Sequence, residues 1–252
     1  MTDMFSVAGK RAIVTGGARG LGRGMAQGLH EAGAEIALID VSQSVFAVAE
    51  EMDALGPRVV AVHADLAAQD QLERSFDEAV TKLGGLDILL NNAGITRWGK
   101  AEEMSRVDWD VVLQVNLNAV FNMAQLAGRH MLGQGHGKIV NIASMLSYGG
   151  GFLTVGYAAA KHGVAGITKA MANEWASQGV NVNAIAPGYM ATEMNVPLME
   201  DPARNKLIMD RVPASRWGLP SDLVGALVFL CSSASDYVHG ILLPVDGGFL
   251  AR

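Results

Sequence analysis

Apolar residues recur along this chain in two alternating rhythms. Short unbroken runs rich in β-branched residues give way to longer stretches in which apolar positions return with a helical period. The runs Arg11–Thr15, Glu35–Asp40, 58–63, 87–90, 138–142, 180–185 and 241–245 read as buried strands. Between them the helical period predicts a helix after the Gly16–Gly22 loop running through Met25, Leu29 and Ala32, then helices over 42–55, Gln69–Leu83, 108–132, 157–178 and 221–231. Repeated strand-helix units joined by short loops imply an α/β fold with one parallel sheet covered on both faces. Strand after strand ends in small or polar residues: Asp65 and Leu66, Asn91 to Gly94, and Ser144. Ligands of open α/β sheets bind outside those carboxyl ends, so the candidate site lies there. The stretch 189–213 is methionine-rich and interrupted by Pro197 and Pro202, too broken for a long helix, and reads as a mobile lid over a substrate.

Composition narrows the class. A chain of 252 residues, half of them hydrophobic and 17% charged, suits one globular domain spanning 1–252 with a large core. The net charge of -6 comes without basic runs, which argues against a nucleic-acid partner. No apolar run approaches the ~20 residues of a bilayer span, so no membrane association is expected. Residues 1–9 lack a basic-then-apolar export pattern, and the one cysteine, Cys231, rules out an internal disulfide; both fit a cytoplasmic protein. The histidines show no paired spacing for a metal, and none is expected.

Chemistry concentrates around Tyr157-Ala-Ala-Ala-Lys161. On a helix a spacing of four puts the phenol and the amine on one face, and Lys161 as a cation is expected to lower the Tyr157 pKa toward working pH. Tyr157 is thus a candidate general acid and base, with Ser144 a candidate donor to a substrate oxygen. The loop after the first strand, Gly16-Gly-Ala-Arg-Gly-Leu-Gly22, opens a helix whose leading amides suit a pyrophosphate. Its glycine spacing differs from GxGxxG. Asp40 ends the second strand about 20 residues on, where a carboxylate accepts from free ribose hydroxyls and repels a 2'-phosphate; this favours NAD, with NADP the weaker expectation because Arg19 lies in the loop. Arg97 is the candidate anchor for a substrate carboxylate, with Trp98, Met145, Tyr148 and Tyr189 as pocket walls or as packing.

These motifs, Thr15-Gly16 through Gly22, Asn91-Asn-Ala-Gly94, Asn116, Ser144, Tyr157 with Lys161, and Pro187-Gly188 with Thr192, stand in the order of a known family. From Lys10 to the C-terminus the chain resembles the short-chain dehydrogenases/reductases. The resemblance implies a Rossmann fold of seven parallel strands, a nicotinamide cofactor and a homotetramer. It assigns Ser144 to the substrate oxygen, Tyr157 to proton exchange, Lys161 to the nicotinamide ribose and to tuning Tyr157, and Asn116 to supporting a relay water. It gives Gly16, Arg19, Gly20, Leu21 and Gly22 to the pyrophosphate loop, Asp40 to the adenosine ribose and Asp65 with Leu66 to the adenine. Asn92, Ala93 and Gly94 would line the nicotinamide, with Pro187, Gly188, Met190 and Thr192 on its carboxamide side. Asn118 and Arg19 depart from the pattern. Stretches such as Asn141 to Ser147 and Arg216 to Asp222 are similar to the group of 2-deoxy-D-gluconate 3-dehydrogenases and 2-dehydro-3-deoxy-D-gluconate 5-dehydrogenases, which implies a sugar-acid substrate. The alternatives are a 3-oxoacyl carrier-protein reductase, a dehydrogenase of polyols or aromatic alcohols, and, from another class, a nucleotide-sensing protein without turnover.

Overall fold

Strand β1 (Arg11–Thr15) shows how the core is built. Its Ala12 and Val14 face one layer and its Ile13 the other, and all three are fully buried. That is the signature of a strand covered on both sides. The computed structural model describes residues 4–252; of the 1–9 stretch read above, residues 1–3 lie outside the described residues. The other strands are β2 (Glu35–Asp40), β3 (Val59–His63), β4 (Ile88–Asn91), β5 (Gly137–Ile142), β6 (Val180–Pro187) and β7 (Leu242–Val245). They form one parallel seven-stranded sheet in the order β3-β2-β1-β4-β5-β6-β7.

One layer packs α1 (Gly20–Glu31), α2 (Val45–Asp53) and α9 (Val224–Cys231) through Met25, Leu29, Val48, Leu227 and Leu230. The other packs α3 (Gln69–Leu83), α5 (Ala119–Gln134) and α6 (Val155–Trp175) through Leu72, Phe76, Met123, Met131 and Met171. The strand order reverses between β1 and β4. Ligand-binding crevices open at such a switch point, outside the carboxyl ends of the two strands.

Most predicted bounds shift by a few residues. Two differences matter. The helix expected over 108–132 is instead α4 (Arg106–Leu113) and α5 joined by a π-helical turn, Gln114–Asn118. One extra residue is thereby fitted into an unbroken helical path, and the turn carries Asn116. The broken stretch 189–213 contains two short helices, α7 (Val196–Met199) and α8 (Pro202–Met209), with Pro197 and Pro202 each in a first turn, where a missing N–H costs nothing. Leu198, Ile208 and Val212 form a small core of their own there. A bridge from Met190 to Gly218 draws the two ends of this flap together.

At the amino ends of β1 and β4, opposite the switch-point crevice, Asp87 takes the backbone N–H of Arg11 at 2.9 Å and its Nε at 2.8 Å, with His136 Nε2 at 3.3 Å. Although desolvation opposes ionisation, these donors outweigh it and hold the carboxyl down at about 2. A carboxylate with a depressed folded-state pKa stabilises the fold above its unfolded value near 4, and this contribution is lost as pH falls toward 2. Asp87→Asn is expected to cost about 1–2 kcal/mol at neutral pH, discounted for the partial exposure of Arg11, and to flatten the loss of stability between about pH 4 and 2. Thermal denaturation as a function of pH measures both; an unchanged acid limb would contradict the assignment.

Candidate active site

The carboxyl ends of β1, β4, β5 and β6 bring the sequence-predicted residues to one crevice. Helix α6 holds Tyr157 and Lys161 one turn apart, and Lys161 Nζ stands 5.4 Å from the centre of the Tyr157 ring. Ser144, the residue that leads from β5 into the turn Met145–Ser147, adjoins the phenol and favours its ionisation. Lys161 is buried, and its Nζ donates to the carbonyl of Ile142 at 2.6 Å.

The electrostatics correct one expectation. Burial pushes the Tyr157 phenol up to about 12, against the smaller opposing pull of Ser144. Burial likewise pushes the Lys161 amine down to about 8. Taking a phenolate out of water costs more than a neighbouring amine returns when that amine is itself desolvated. In the protein alone Lys161 therefore does not bring Tyr157 to working pH, and the phenol keeps its proton.

Asn116 is fully buried in the π-helical turn. Its Oδ1 accepts the N–H of Ile95 at 3.1 Å, while Nδ2 donates to the carbonyls of Ile95 at 2.9 Å and Val112 at 2.8 Å. The whole amide is thus engaged in clasping the loop that follows Asn92, Ala93 and Gly94. A side chain on Gly94 would run into Asn116 Oδ1 at 2.7 Å, so the loop and the π turn fit only with glycine there. Asn92 ties this loop to β1, with Nδ2 donating to the carbonyls of Thr15 at 2.9 Å and Gly16 at 3.2 Å.

The glycine loop fits a bound anion. Helix α1 begins at Gly20 with no side chain capping it and no acidic residue in its first turn, so its leading amides, with those of Leu21 and Gly22, keep their positive end for a ligand. Gly20 itself has φ +55°, and the nearest atom to its absent Cβ is Thr192 Cγ2 at 4.0 Å. Asp40 is buried, and its two oxygens accept the N–H of Ala18 at 2.9 Å and of Ser42 at 2.8 Å. It thus braces the loop as well as ending β2. Arg19 is exposed and pairs with Glu193 at 2.9 Å. Leu66 is buried, whereas Asp65 is exposed and caps the following turn through Ala67 N–H. On the other side of the crevice, Pro187 ends β6, Gly188 packs so closely on Asp246 that a side chain would meet its Cα at 2.6 Å, and Met190 is buried. Thr192 leads into the Glu193–Asn195 turn.

Arg97 is half-exposed; its Nε pairs with Asp108 at 3.3 Å and its Nη1 donates to the Thr96 carbonyl. Met145 is buried beside Ser144. Tyr189 packs edge-on to Trp217 and Phe249, both with centroids 5.6 Å away. Tyr148 turns its hydroxyl to the Leu242 carbonyl on β7 at 2.6 Å, and Trp98 is exposed. Sequence reading did not single out Ser147, whose hydroxyl touches both Ser144 and Lys161. The Ser-x-x-Ser spacing directly after a strand was the available signal, since it permits a reciprocal cap. No cluster of metal-ligating side chains occurs among the described residues.

A family model described as Enoyl-(Acyl carrier protein) reductase, of the short-chain alcohol dehydrogenase type, matches residues 16–250. The 2-dehydro-3-deoxy-D-gluconate 5-dehydrogenase of Escherichia coli strain K12 is 52% identical over 98% of each chain. Its namesake from Bacillus subtilis strain 168 is 47% identical, covering 99% of this chain and 98% of its own. The crystal structure of a gluconate 5-dehydrogenase from Burkholderia cenocepacia J2315 in complex with NADP and tartrate superposes with a TM-score of 0.96 at 41% identity, covering 99% of this chain and 98% of that one. With a family model matching most of its length and relatives similar to it along nearly their whole length, the chain belongs to the short-chain dehydrogenase/reductase family of oxidoreductases acting on CH–OH groups.

Proposed function

We propose that this protein transfers a hydride between NAD(H) and a secondary alcohol or ketone of a sugar acid, with 2-dehydro-3-deoxy-D-gluconate, oxidised at its C5 hydroxyl, as the leading substrate. The observation that carries the reaction is the convergence of Tyr157, Lys161 and Ser144 in one crevice. The substrate class is supported by the names of the Escherichia coli and Bacillus subtilis relatives.

When bound, the dinucleotide supplies the hydride acceptor or donor at its nicotinamide. The chain's own residues do the rest. Tyr157 takes the hydroxyl proton in oxidation and returns it in reduction. Ser144 donates to the same substrate oxygen as charge develops on it. Lys161 would bind the nicotinamide ribose through the Nζ donors that the Ile142 carbonyl leaves free, and Asn116 holds the Asn92–Gly94 loop for the nicotinamide face. Asp40, at the end of β2, favours free ribose hydroxyls over a 2'-phosphate. The expected ratio of kcat/KM for NAD over NADP is therefore above 10, by the charge logic of that position. A ratio below one would mean that Arg19, released from Glu193, sets the preference.

Residues 189–213 serve as the substrate lid, hinged where Met190 and Gly218 meet. Arg97 anchors the substrate carboxylate after exchanging its partial pairing with Asp108 for a bidentate one. Arg97→Ala is expected to raise KM for a sugar acid about 10-fold and to leave KM for a neutral polyol within about twofold. Equal effects on both would remove it as the anchor. We also take the protein to be a cytoplasmic homotetramer. A groove of about 470 Å³ between the outer faces of α5 and α6, bordered by half-exposed Phe121, suits such packing; light scattering reads the mass. The direct test of the function is an absorbance screen of hexonates, deoxy-sugar acids, polyols and acyl thioesters with both dinucleotides. Highest turnover on an acyl thioester would replace the sugar-acid reading.

A further inference from the structure

We propose that Ser147 is a positioning residue that holds Ser144 and the Tyr157–Lys161 turn of α6 in mutual register; the inference rests on the chemical roles given above to those three residues. The Ser147 hydroxyl donates to the backbone carbonyl of Lys161 at 2.7 Å and accepts the backbone N–H of Ser144 at 3.3 Å. The turn answers in kind. Ser144 Oγ accepts the N–H of Leu146 at 3.1 Å, and the Ser147 N–H donates to the Ser144 carbonyl at 2.8 Å. Ser147 is buried, so water does not compete for its hydroxyl.

Lys161 is thereby fastened at both ends. Its carbonyl is held by Ser147, and its Nζ donates to Ile142, the last residue of β5. The connections close a ring from Ile142 through Ser144 and Ser147 to Lys161 and back to Ile142. The Lys161 carbonyl lies inside α6, where helix formation requires only one of its lone pairs. The second lone pair is the one Ser147 uses, so the contact adds nothing that the helix needs in order to form. What it fixes is the distance between two separate elements, the turn bearing Ser144 and the helix bearing Tyr157. Acid-base and electrostatic groups tolerate little error in such a distance, and a misplacement of about 1 Å can cost as much as 100-fold in rate.

The expected signature is therefore in turnover. Ser147→Ala is expected to lower kcat about 10-fold on 2-dehydro-3-deoxy-D-gluconate with NAD, to keep KM for NAD within about twofold, and to displace the pH profile of kcat. Ser147→Thr, which keeps the hydroxyl, is expected to recover most of the loss. Rates are taken per NADH-binding site, so that misfolded protein does not count. If the alanine variant does not fold, Ser147→Cys, nearly equal in size but a weak donor, is read in the same way. An unchanged kcat with a superimposable pH profile, or equal losses in the alanine and threonine variants, would overturn the role. Tyr157→Phe measured alongside separates the failures. Activity in that variant removes the chemical assignment and this inference with it, whereas an inactive Tyr157→Phe beside a fully active Ser147→Ala removes the role of Ser147 alone.

Discussion

Tyr157→Phe is expected to lower kcat roughly 1000-fold in both directions while leaving NADH binding within about twofold of wild type. The phenol is the only group of the cluster that can both give and take the substrate proton. Ser144 has a pKa far above any working pH, and Lys161 spends its Nζ on the Ile142 carbonyl. The direction of the pKa shifts adds a second expectation. With the phenol pushed up to about 12, its proton is in place at neutral pH, so reduction begins with the acid already loaded. Its rate is expected to stay level with rising pH until the phenol begins to ionise. Oxidation needs the phenolate, and its rate is expected to climb with pH. The positive charge of an oxidised nicotinamide, when bound, would draw the phenol down from its value in the protein alone. Both pH dependences disappear in the phenylalanine variant. Substantial residual turnover with a wild-type pH profile would place the proton transfer elsewhere.

The contrast between the expected and observed Tyr157 shows where the sequence stops speaking. Spacing in a helix put Tyr157 and Lys161 on one face, and α6 does so, but the sign of a pKa shift depends on desolvation, which follows from tertiary packing alone. Helix α3 was legible to its bounds, because Gln69–Leu83 alternates buried and exposed positions with a clean period and ends at Gly84 in the left-handed conformation. The π-helical turn was not. One inserted residue changes the local period over a single turn, too short for a periodic pattern to register, yet it rotates Asn116 into the clasp on Ile95. Ser147 stayed hidden for a related reason: its partner Lys161 lies fourteen residues away, in another element. Asp40 was legible as a strand-end carboxylate, but its bonds to Ala18 and Ser42 come from the way the loop folds over it.

Gly22→Ala is expected to weaken dinucleotide binding about 100-fold and to destabilise the fold by about 1–3 kcal/mol. A Cβ at Gly22 would overlap the carbonyl oxygen of Gly16 and the amide nitrogen of Asn92. Neither can retreat cheaply. The N–H of Gly16 is held by the Ile39 carbonyl at 2.8 Å, and Asn92 Nδ2 is shared between the carbonyls of Thr15 and Gly16. Relief therefore has to come from moving the start of α1 away from β1 and β4. That shift displaces the amides meant for the pyrophosphate and the Asn92–Gly94 loop meant for the nicotinamide together, so the loss in affinity, at about 1.4 kcal/mol per tenfold, exceeds that of removing any one contact. Gly133→Ala supplies the control. Gly133 lies in α5 with nothing near its absent Cβ, and the same added methyl is expected to stabilise by about 0.5–1 kcal/mol through helix propensity. Thermal denaturation and NADH fluorescence titration of the two variants give opposite signs if contact across the switch point sets the loop. Wild-type affinity and stability in Gly22→Ala would show that the crevice tolerates slack there, and the tight packing of Gly16, Gly22 and Asn92 would then have no part in holding the cofactor.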